Sequence, residues 1–273
     1  MKNIRLDVYL AERGLSLSRE KAKKEILAGW VTVNNETVRN PAAKIKGDEI
    51  VNVQRPGSVY VSRGGDKLKH ALDVFGIDLT DKTVLDLGAS TGGFTDCMLR
   101  AGAAKVYSVD VGYNQLDYSL RIDNRVVVME KTHARDIRED MFPGGFDFFT
   151  ADLSFISILK VLPSVLNITR NIEGVVLVKP QFEAMPGQHK KGVVRSISDH
   201  EEILERVLNG IIEMGFSLKG VTWSPVKGPA GNIEFLSYIS SPSAEKSEGL
   251  HQIVEETALS AHNILNKLHP DAD

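Results

Sequence analysis

The stretch Val84-Leu85-Asp86-Leu87-Gly88-Ala89-Ser90-Thr91-Gly92-Gly93-Phe94 decides the class of the fold. A short apolar run breaks into a glycine-rich turn, and a helical pattern through Met98 and Leu99 follows. Strand, glycine turn and helix in that order form a site for a nucleotide-like ligand. Glycines admit the ligand close to the backbone, and the helix N-terminus offers free N–H groups. No Lys-Ser/Thr follows the glycines, so the turn is not a P-loop. Nor does it match G-x-G-x-x-G, because Gly88, Ser90 and Gly93 occupy those places. Asp86 would repel a pyrophosphate but not a zwitterion carrying an ammonium and a sulfonium. Asp110 ends the next strand, 24 residues later, where a carboxylate accepts hydrogen bonds from a ribose diol. Adenosine with an amino-acid tail therefore fits better than a dinucleotide. NAD is the next alternative, and a tight turn that serves packing alone is the plainest.

Outward from this turn, strand and helix patterns alternate, the signature of a parallel α/β sheet. Strands are predicted over 83–87, 105–109, 125–129, 146–151, 174–178, 218–223 and 234–239. The clearest helix covers 199–214, with Ile203, Leu204, Val207, Leu208, Ile211 and Ile212 at helical spacing, and Ser198 with Glu201 as a capping box. After a polar joint over 240–247, Leu250, Val254, Thr257, Ala261, Ile264, Leu265 and Leu268 predict a last amphipathic helix.

The first 55 residues read differently. Leu6 and Leu10 mark one helix, and Gly14 punctuates it. Ser18 caps a second helix that runs to about Leu27 and stops at Gly29. Val31-Thr32-Val33, an Asn34-Asn35 turn and Ile50-Val51-Asn52-Val53 add strands. Four parts are expected: a small α+β domain over 1–55, a linker over 56–62 that follows Gln54-Arg55, an α/β domain over 63–242 and a helical extension over 243–273. Residues 1–60 carry 11 Lys/Arg and 7 Asp/Glu, whereas the remainder carries 22 and 29. A basic module on an acidic body suggests an anionic partner, although ordinary surface charge explains the difference as well. The single cysteine, Cys97, forbids an internal disulfide and fits a cytoplasmic protein. Charges interrupt the N-terminus, so a signal peptide is not expected. Apolar runs such as Val175–Val178 are too short to span a membrane.

D-L-G-A-S-T-G-G-F-T-D resembles the cofactor motif of FtsJ-like methyltransferases. The resemblance implies a seven-stranded Rossmann-like fold with a last antiparallel strand, and S-adenosyl-L-methionine as cofactor. Its binding residues would be Asp86, Gly88, Ser90, Gly92, Gly93, Phe94 and Asp110.

Four charged residues stand where a parallel sheet presents ligands. Lys67 lies before the first of these strands, in Ser62-Arg63-Gly64-Gly65-Asp66-Lys67. Asp152 follows the fourth, in Ala151-Asp152-Leu153-Ser154-Phe155. Lys179 ends the fifth, in Val178-Lys179-Pro180-Gln181-Phe182-Glu183, and Glu234 starts the seventh. A ribose hydroxyl is a weak nucleophile. Attack on a sulfonium methyl needs a base, or a cation that stabilises the forming alkoxide, and alignment does much of the rest. Taken singly, each residue reads as ordinary solvated surface. As an ordered set, Lys67, Asp152, Lys179 and Glu234 are similar to the Lys-Asp-Lys-Glu tetrad of 2′-O-ribose methyltransferases. By that resemblance Lys179 is base or alkoxide stabiliser, Asp152 orients it, and Lys67 and Glu234 position the ribose. The chain offers no dense His/Cys cluster, so no metal is expected.

Arg5-Leu6-Asp7, Ser18-Arg19, Ala22, Ile26 and Gly29-Trp30-Val31-Thr32-Val33 resemble the S4 RNA-binding domain. The resemblance implies phosphate contacts by Arg5, Arg19, Lys23 and Lys24, with Arg63 as a further RNA contact in the second domain. Such contacts add affinity rather than sequence choice. A protein-binding module is the alternative. An S4 domain followed by this methyltransferase domain is similar to the TlyA family, historically labelled haemolysins. That family implies 2′-O-methylation of cytidine in ribosomal RNA, within assembled subunits or ribosomes. His133, where the family has Asn, and Ser196, where it has Asp, depart from its pattern. The loop between Lys179 and Ser198, with His189, Lys190, Lys191 and Arg195, is long enough to have a task; a cover over RNA and a plain surface excursion fit it equally. The rival readings are an RNA-binding assembly factor without catalysis, a membrane-lytic haemolysin, and a methylase of another acceptor such as a base nitrogen. Nothing in the chain signals a homo-oligomer.

Overall fold

The computed structural model describes residues 4–13, 15–16, 18–34, 36–46, 49, 51–53, 59–188, 192–228, 230–242 and 249–268. Gly14, Asn35, Ile50, Pro56-Gly57 with the rest of 54–58, His189-Lys190-Lys191 and residues 243–248 of the polar joint lie outside them. The chain forms two compact units, Met1–Val59 and Tyr60–Asp273.

The first unit runs β1 (Ile4–Arg5), α1 (Leu6–Glu12), α2 (Arg19–Leu27), β2 (Val31–Val33), β3 (Glu36–Thr37), β4 (Lys44–Ile45) and β5 (Val51–Val53). α2 starts at Ser18, whose extended backbone lets its hydroxyl oxygen accept the Lys21 N–H and so satisfy one orphan donor of the first turn. β2 pairs antiparallel with β3 and with β5, and β1 pairs with β4. Leu6, Leu10, Ala22, Ile26 and Val31 are wholly buried in one core. The helical spacing of the first four is therefore the spacing of the packed face.

The second unit runs α3 (Gly64–Phe75), β6 (Thr83–Leu87), α4 (Gly93–Arg100), β7 (Lys105–Val109), α5 (Tyr118–Arg121), β8 (Val126–Met129), β9 (Phe148–Ala151), α6 (Leu162–Ile168), β10 (Ile172–Val178), α7 (Pro180–Glu183), α8 (Ile197–Glu213), β11 (Ser217–Trp223), β12 (Phe235–Ser241) and α9 (Leu250–Leu268). The seven expected strands make one sheet in the order β11-β12-β10-β9-β6-β7-β8. Strands β6 to β10 are parallel, and β12 runs antiparallel to both neighbours. From β6 the chain proceeds to β7 and β8 on one side, then returns to β9 on the other side of β6. The order reverses there, and a crevice opens beyond the carboxyl ends of β6 and β9.

Both faces of the sheet are covered, which explains the nearly unbroken apolar strands. Leu85, Phe149 and Val176 pack with Leu204, Leu208 and Ile211 of α8 and Val254 and Leu265 of α9. Val84, Phe148 and Val175 pack with Leu68 and Leu72 of α3 and Met98 of α4. Two expectations shift. α8 begins earlier than the Ser198 signal implied: Ser196 is the cap, and its hydroxyl accepts from the Asp199 N–H at 3.4 Å. Serine and aspartate are equivalent caps, so the departure at 196 preserves the helix start. In α9, Ile264 was expected in the buried stripe but is 42% exposed, while Ala258 is buried.

The sheet leaves no room beside Phe149. A Cβ on Gly174 of β10 would lie 2.3 Å from a ring carbon of this fully buried side chain. Gly174→Ala should destabilise the protein by about 1–3 kcal/mol through overpacking, read as a lowered midpoint in thermal or urea unfolding. An unchanged midpoint would mean that the ring yields freely.

Candidate active site

Strand register assembles the charged residues. Leu87 pairs with Ala151 across β6 and β9, so the residues that follow, Gly88 and Asp152, sit side by side. A Cβ on Gly88 (φ +86°) would lie 2.4 Å from the Asp152 carbonyl oxygen; only glycine fits this close approach. Val178 pairs with Phe235 across β10 and β12. Because β12 is antiparallel, its first residue stands beside the last of β10, which brings Lys179 next to Glu234. Lys67, in the first turn of α3, completes the group.

Two ion pairs result. Lys67 Nζ lies 2.5 Å from Glu234 Oε2, with side-chain exposures of 9% and 1%. Lys179 Nζ lies 2.5 Å from Asp152 Oδ1 and donates to Ser154 Oγ at 3.1 Å. All four line one cleft of about 590 Å³, together with Ser62, Arg63, Gly88, Ser90, Phe94 and Gln181. A second cavity of about 540 Å³ is lined by Asp110, Val111, His133, Arg135 and others, and shares Gly88, Ser90, Asp152, Ser154 and Phe155 with the first. The two spaces therefore meet at Asp152.

The second cavity suits an adenosine. Asp110 is aimed by two backbone donors, Ser90 N–H to Oδ2 at 2.8 Å and Gly112 N–H to Oδ1 at 2.7 Å. Each oxygen keeps a lone pair for a ribose hydroxyl. Ser90 itself adopts φ +49° to make this contact. The residues present thus fit a nucleoside whose tail passes the glycine turn toward the lysines.

The remaining expected cofactor residues divide. Gly93 and Phe94 line the first cleft. A Cβ on Gly93 would fall 2.8 Å from Gly65 N and 3.0 Å from Gly64 Cα, so the N-termini of α3 and α4 pack backbone to backbone there. Gly92 lines neither cavity; it caps α4 at φ +99°, and a Cβ there would strike Leu120. Asp86 lines neither cavity and is fully buried. Its oxygens accept from Thr95 Oγ1 at 2.6 Å and Thr150 Oγ1 at 3.0 Å, tying β6 to α4 and β9. Burial pushes its carboxyl up to about 7, against the effect of these two hydrogen bonds. The ammonium contact expected of it finds no opening.

Sequence reasoning missed the stitching of the two loops that carry Asp152 and Lys179. Glu183 accepts the Ile158 N–H at 2.8 Å, and its own backbone oxygen accepts from Arg206 of α8. Phe155 and Phe182 stand with ring centroids 5.0 Å apart. Gln181 donates to Glu234 Oε1 at 3.2 Å. Phe155, Gln181, Phe182 and Glu183 sit inside the quoted motif strings, which were the only signal for them.

In the first unit, Arg5, Arg19 and Lys23 of the expected RNA contacts each pair with a carboxylate. Arg5 forks onto Asp7 with two bonds of 3.0 Å, and Arg19 adds a third at 3.1 Å. The Arg5 hydrogen bond, followed by that of Arg19, holds the Asp7 carboxyl down at about 2, although burial opposes the shift. Both guanidinium groups remain about half exposed. Lys23 lies 3.6 Å from Glu20, and Lys24 is exposed. Arg63, in the second unit, is exposed at the cleft.

Residues 60–240 match the FtsJ-like methyltransferase family, and residues 4–51 match the S4 domain. Hemolysin A of Brachyspira hyodysenteriae is 47% identical over 86% of this chain and 99% of its own. The 16S/23S rRNA (cytidine-2′-O)-methyltransferase TlyA of Mycobacterium tuberculosis is 39% identical over 93% and 96%. A solved structure named as a hemolysin, from Streptococcus thermophilus, is 40% identical, with a TM-score of 0.79, over 99% of this chain and 100% of its own. No helix among the described residues is long and apolar enough to cross a membrane.

Asp86 makes folding pH-dependent. A carboxyl raised from 3.8 to about 7 on folding stabilises the native state fully below pH 3.8, and that contribution is lost as pH rises through about 7. In urea titrations at pH 5 and pH 8, the wild type should lose a few kcal/mol relative to Asp86→Asn, which does not titrate. Parallel stability curves would refute the assignment.

Proposed function

This chain belongs to the TlyA family, which joins an S4 domain to an FtsJ-like methyltransferase domain, and on that premise we propose that it methylates the 2′-hydroxyl of a cytidine in ribosomal RNA. The observation that carries the reading is the single cleft lined by both lysine–carboxylate pairs and continuous with the Asp110 cavity. The nucleotide class comes from the relative that is named for cytidine-2′-O-methylation of 16S and 23S rRNA.

S-adenosylmethionine, when bound, supplies an electrophilic methyl on a sulfonium. Asp110 would hold its nucleoside end, and Gly88, Ser90, Gly93 and Phe94 of the glycine turn would hold the remainder. Lys179 acts on the reacting oxygen. Its ammonium has three N–H directions. Asp152 and Ser154 take two of them, which leaves one for the 2′-oxygen. Kept charged, Lys179 stabilises the forming alkoxide through that N–H; as a neutral amine it would instead turn a lone pair in this direction and accept the hydroxyl proton. Lys67 and Glu234 hold the ribose and balance the charge, so the cleft gathers two positive and two negative groups. Fixing oxygen and methyl in line removes much of the entropic barrier. A paired 2′-hydroxyl is hard to reach, so the target nucleotide is exposed or flipped out. Arg5, Arg19, Lys23, Lys24 and Arg63 contact phosphates and set affinity and orientation.

Incubation of ribosomal subunits with labelled cofactor, followed by nucleoside mass spectrometry, tests this. Label should appear on 2′-O-methylcytidine and vanish with Lys179→Ala, while cofactor binding by calorimetry persists. Full activity in the variant would remove Lys179 from the mechanism. Unlabelled RNA despite bound cofactor would favour a non-catalytic assembly factor. Separately, Lys24→Ala should weaken RNA binding at low salt and reduce the slope of log K against log salt by about one. An unaltered slope would exclude Lys24 as a phosphate contact.

A further inference from the structure

We propose that Gln181 is a positioning residue of this site, which locks Glu234 so that Lys67 is held by one carboxylate oxygen. The inference rests on the reading of Lys67, Asp152, Lys179 and Glu234 as the reacting group.

Gln181 lies in the short helix α7, two residues beyond Lys179, and lines the same cleft. Its Nε2 donates to Glu234 Oε1 at 3.2 Å, while Lys67 occupies Oε2 at 2.5 Å. The opposite wall is close as well: a Cβ on Gly228 would lie 2.6 Å from Glu234 Oε1. The carboxylate is therefore fixed on both oxygens, by different partners.

The orientation of the amide follows from chemistry. A carboxylate only accepts, so the NH₂ group must face Glu234. The carbonyl Oε1 of Gln181 is then turned away, and it is buried with no donor. A buried unpaired carbonyl is unfavourable, and natural folds rarely keep one without a use. Methionine would fill the same volume without that penalty, so the amide is present for its donor. The donor is also neutral. It satisfies Glu234 without adding charge, so the two lysines still face only two carboxylates. Without it, Oε1 is free to turn toward Lys67 and draw in an N–H that otherwise points to the ribose.

The test uses full-length Gln181→Met, Gln181→Glu and Lys179→Ala, with methyl transfer to ribosomal subunits measured across pH, cofactor affinity by calorimetry, and melting temperature. Gln181→Met should lower kcat at least tenfold at every pH, with KM for both substrates within threefold and cofactor affinity unchanged. Gln181→Glu should be equally slow at alkaline pH, where two carboxylates oppose each other. It should recover as pH falls, because a protonated carboxyl donates to Glu234 as the amide does. Wild-type kcat in Gln181→Met overturns the proposal. So does a wild-type pH profile in Gln181→Glu with activity lost only in proportion to melting temperature. If Lys179→Ala stays active, the reading of the four charged residues fails and this proposal with it. If Lys179→Ala is dead while Gln181→Met is fully active, only the present inference fails.

Discussion

One antiparallel strand pairing sets the chemistry of this molecule. β12 enters the sheet against β10 with Val178 opposite Phe235, so the residue leaving one strand and the residue entering the other meet at the same edge. Neighbouring strands lie about 4.8 Å apart, within reach of paired side chains. Had β12 run parallel, Glu234 would open at the far end of the sheet, away from Lys179 and Lys67. The parallel pairing of β6 with β9 does the same for Gly88 and Asp152. The backbone ladder thus fixes where charge can gather before any side chain is considered.

The Lys67–Glu234 pair is an expensive way to fill space. Two nearly buried charges lose their hydration, and well-packed apolar residues are often as stable or more so. Breaking such a pair by removing one partner typically costs about 3–5 kcal/mol, because the other charge is left uncompensated. The pair is therefore better explained by what it presents to the cleft than by what it adds to stability. The same logic separates it from Arg125–Asp123, which is a local contact at the surface and worth little.

Rigidity at the cleft comes from residues that carry no charge into it. The Glu183 contact with the Ile158 N–H, the Arg206 contact with the Glu183 carbonyl, and the Phe155–Phe182 rings bind the two loops to each other and to α8. Loops left to themselves open at low free-energy cost. Here the loops bearing Asp152 and Lys179 are joined within a few residues of both, which keeps an ion pair at 2.5 Å rather than a pair of solvated charges.

Residue order alone established the alternation of strands and helices, the glycine turn and the capped α2, because each is written in local period or turn chemistry, while a family resemblance singled out the four charged positions. Residue order does not reach what depends on distant neighbours. Asp86 read as a ligand contact, yet it is fully buried between Thr95 and Thr150 and lines neither cavity. Arg5 and Arg19 are adjacent to no common acid in any motif, and it is the fold that makes them share Asp7. Ile264 fits the helical stripe but faces outward. Only folding decided that Lys67 and Glu234, 167 residues apart in the chain, share one hydrogen bond, and that Gln181 completes it. Spacing along a chain carries no information on which strand lies beside which, and burial and charge pairing are properties of those long-range neighbours.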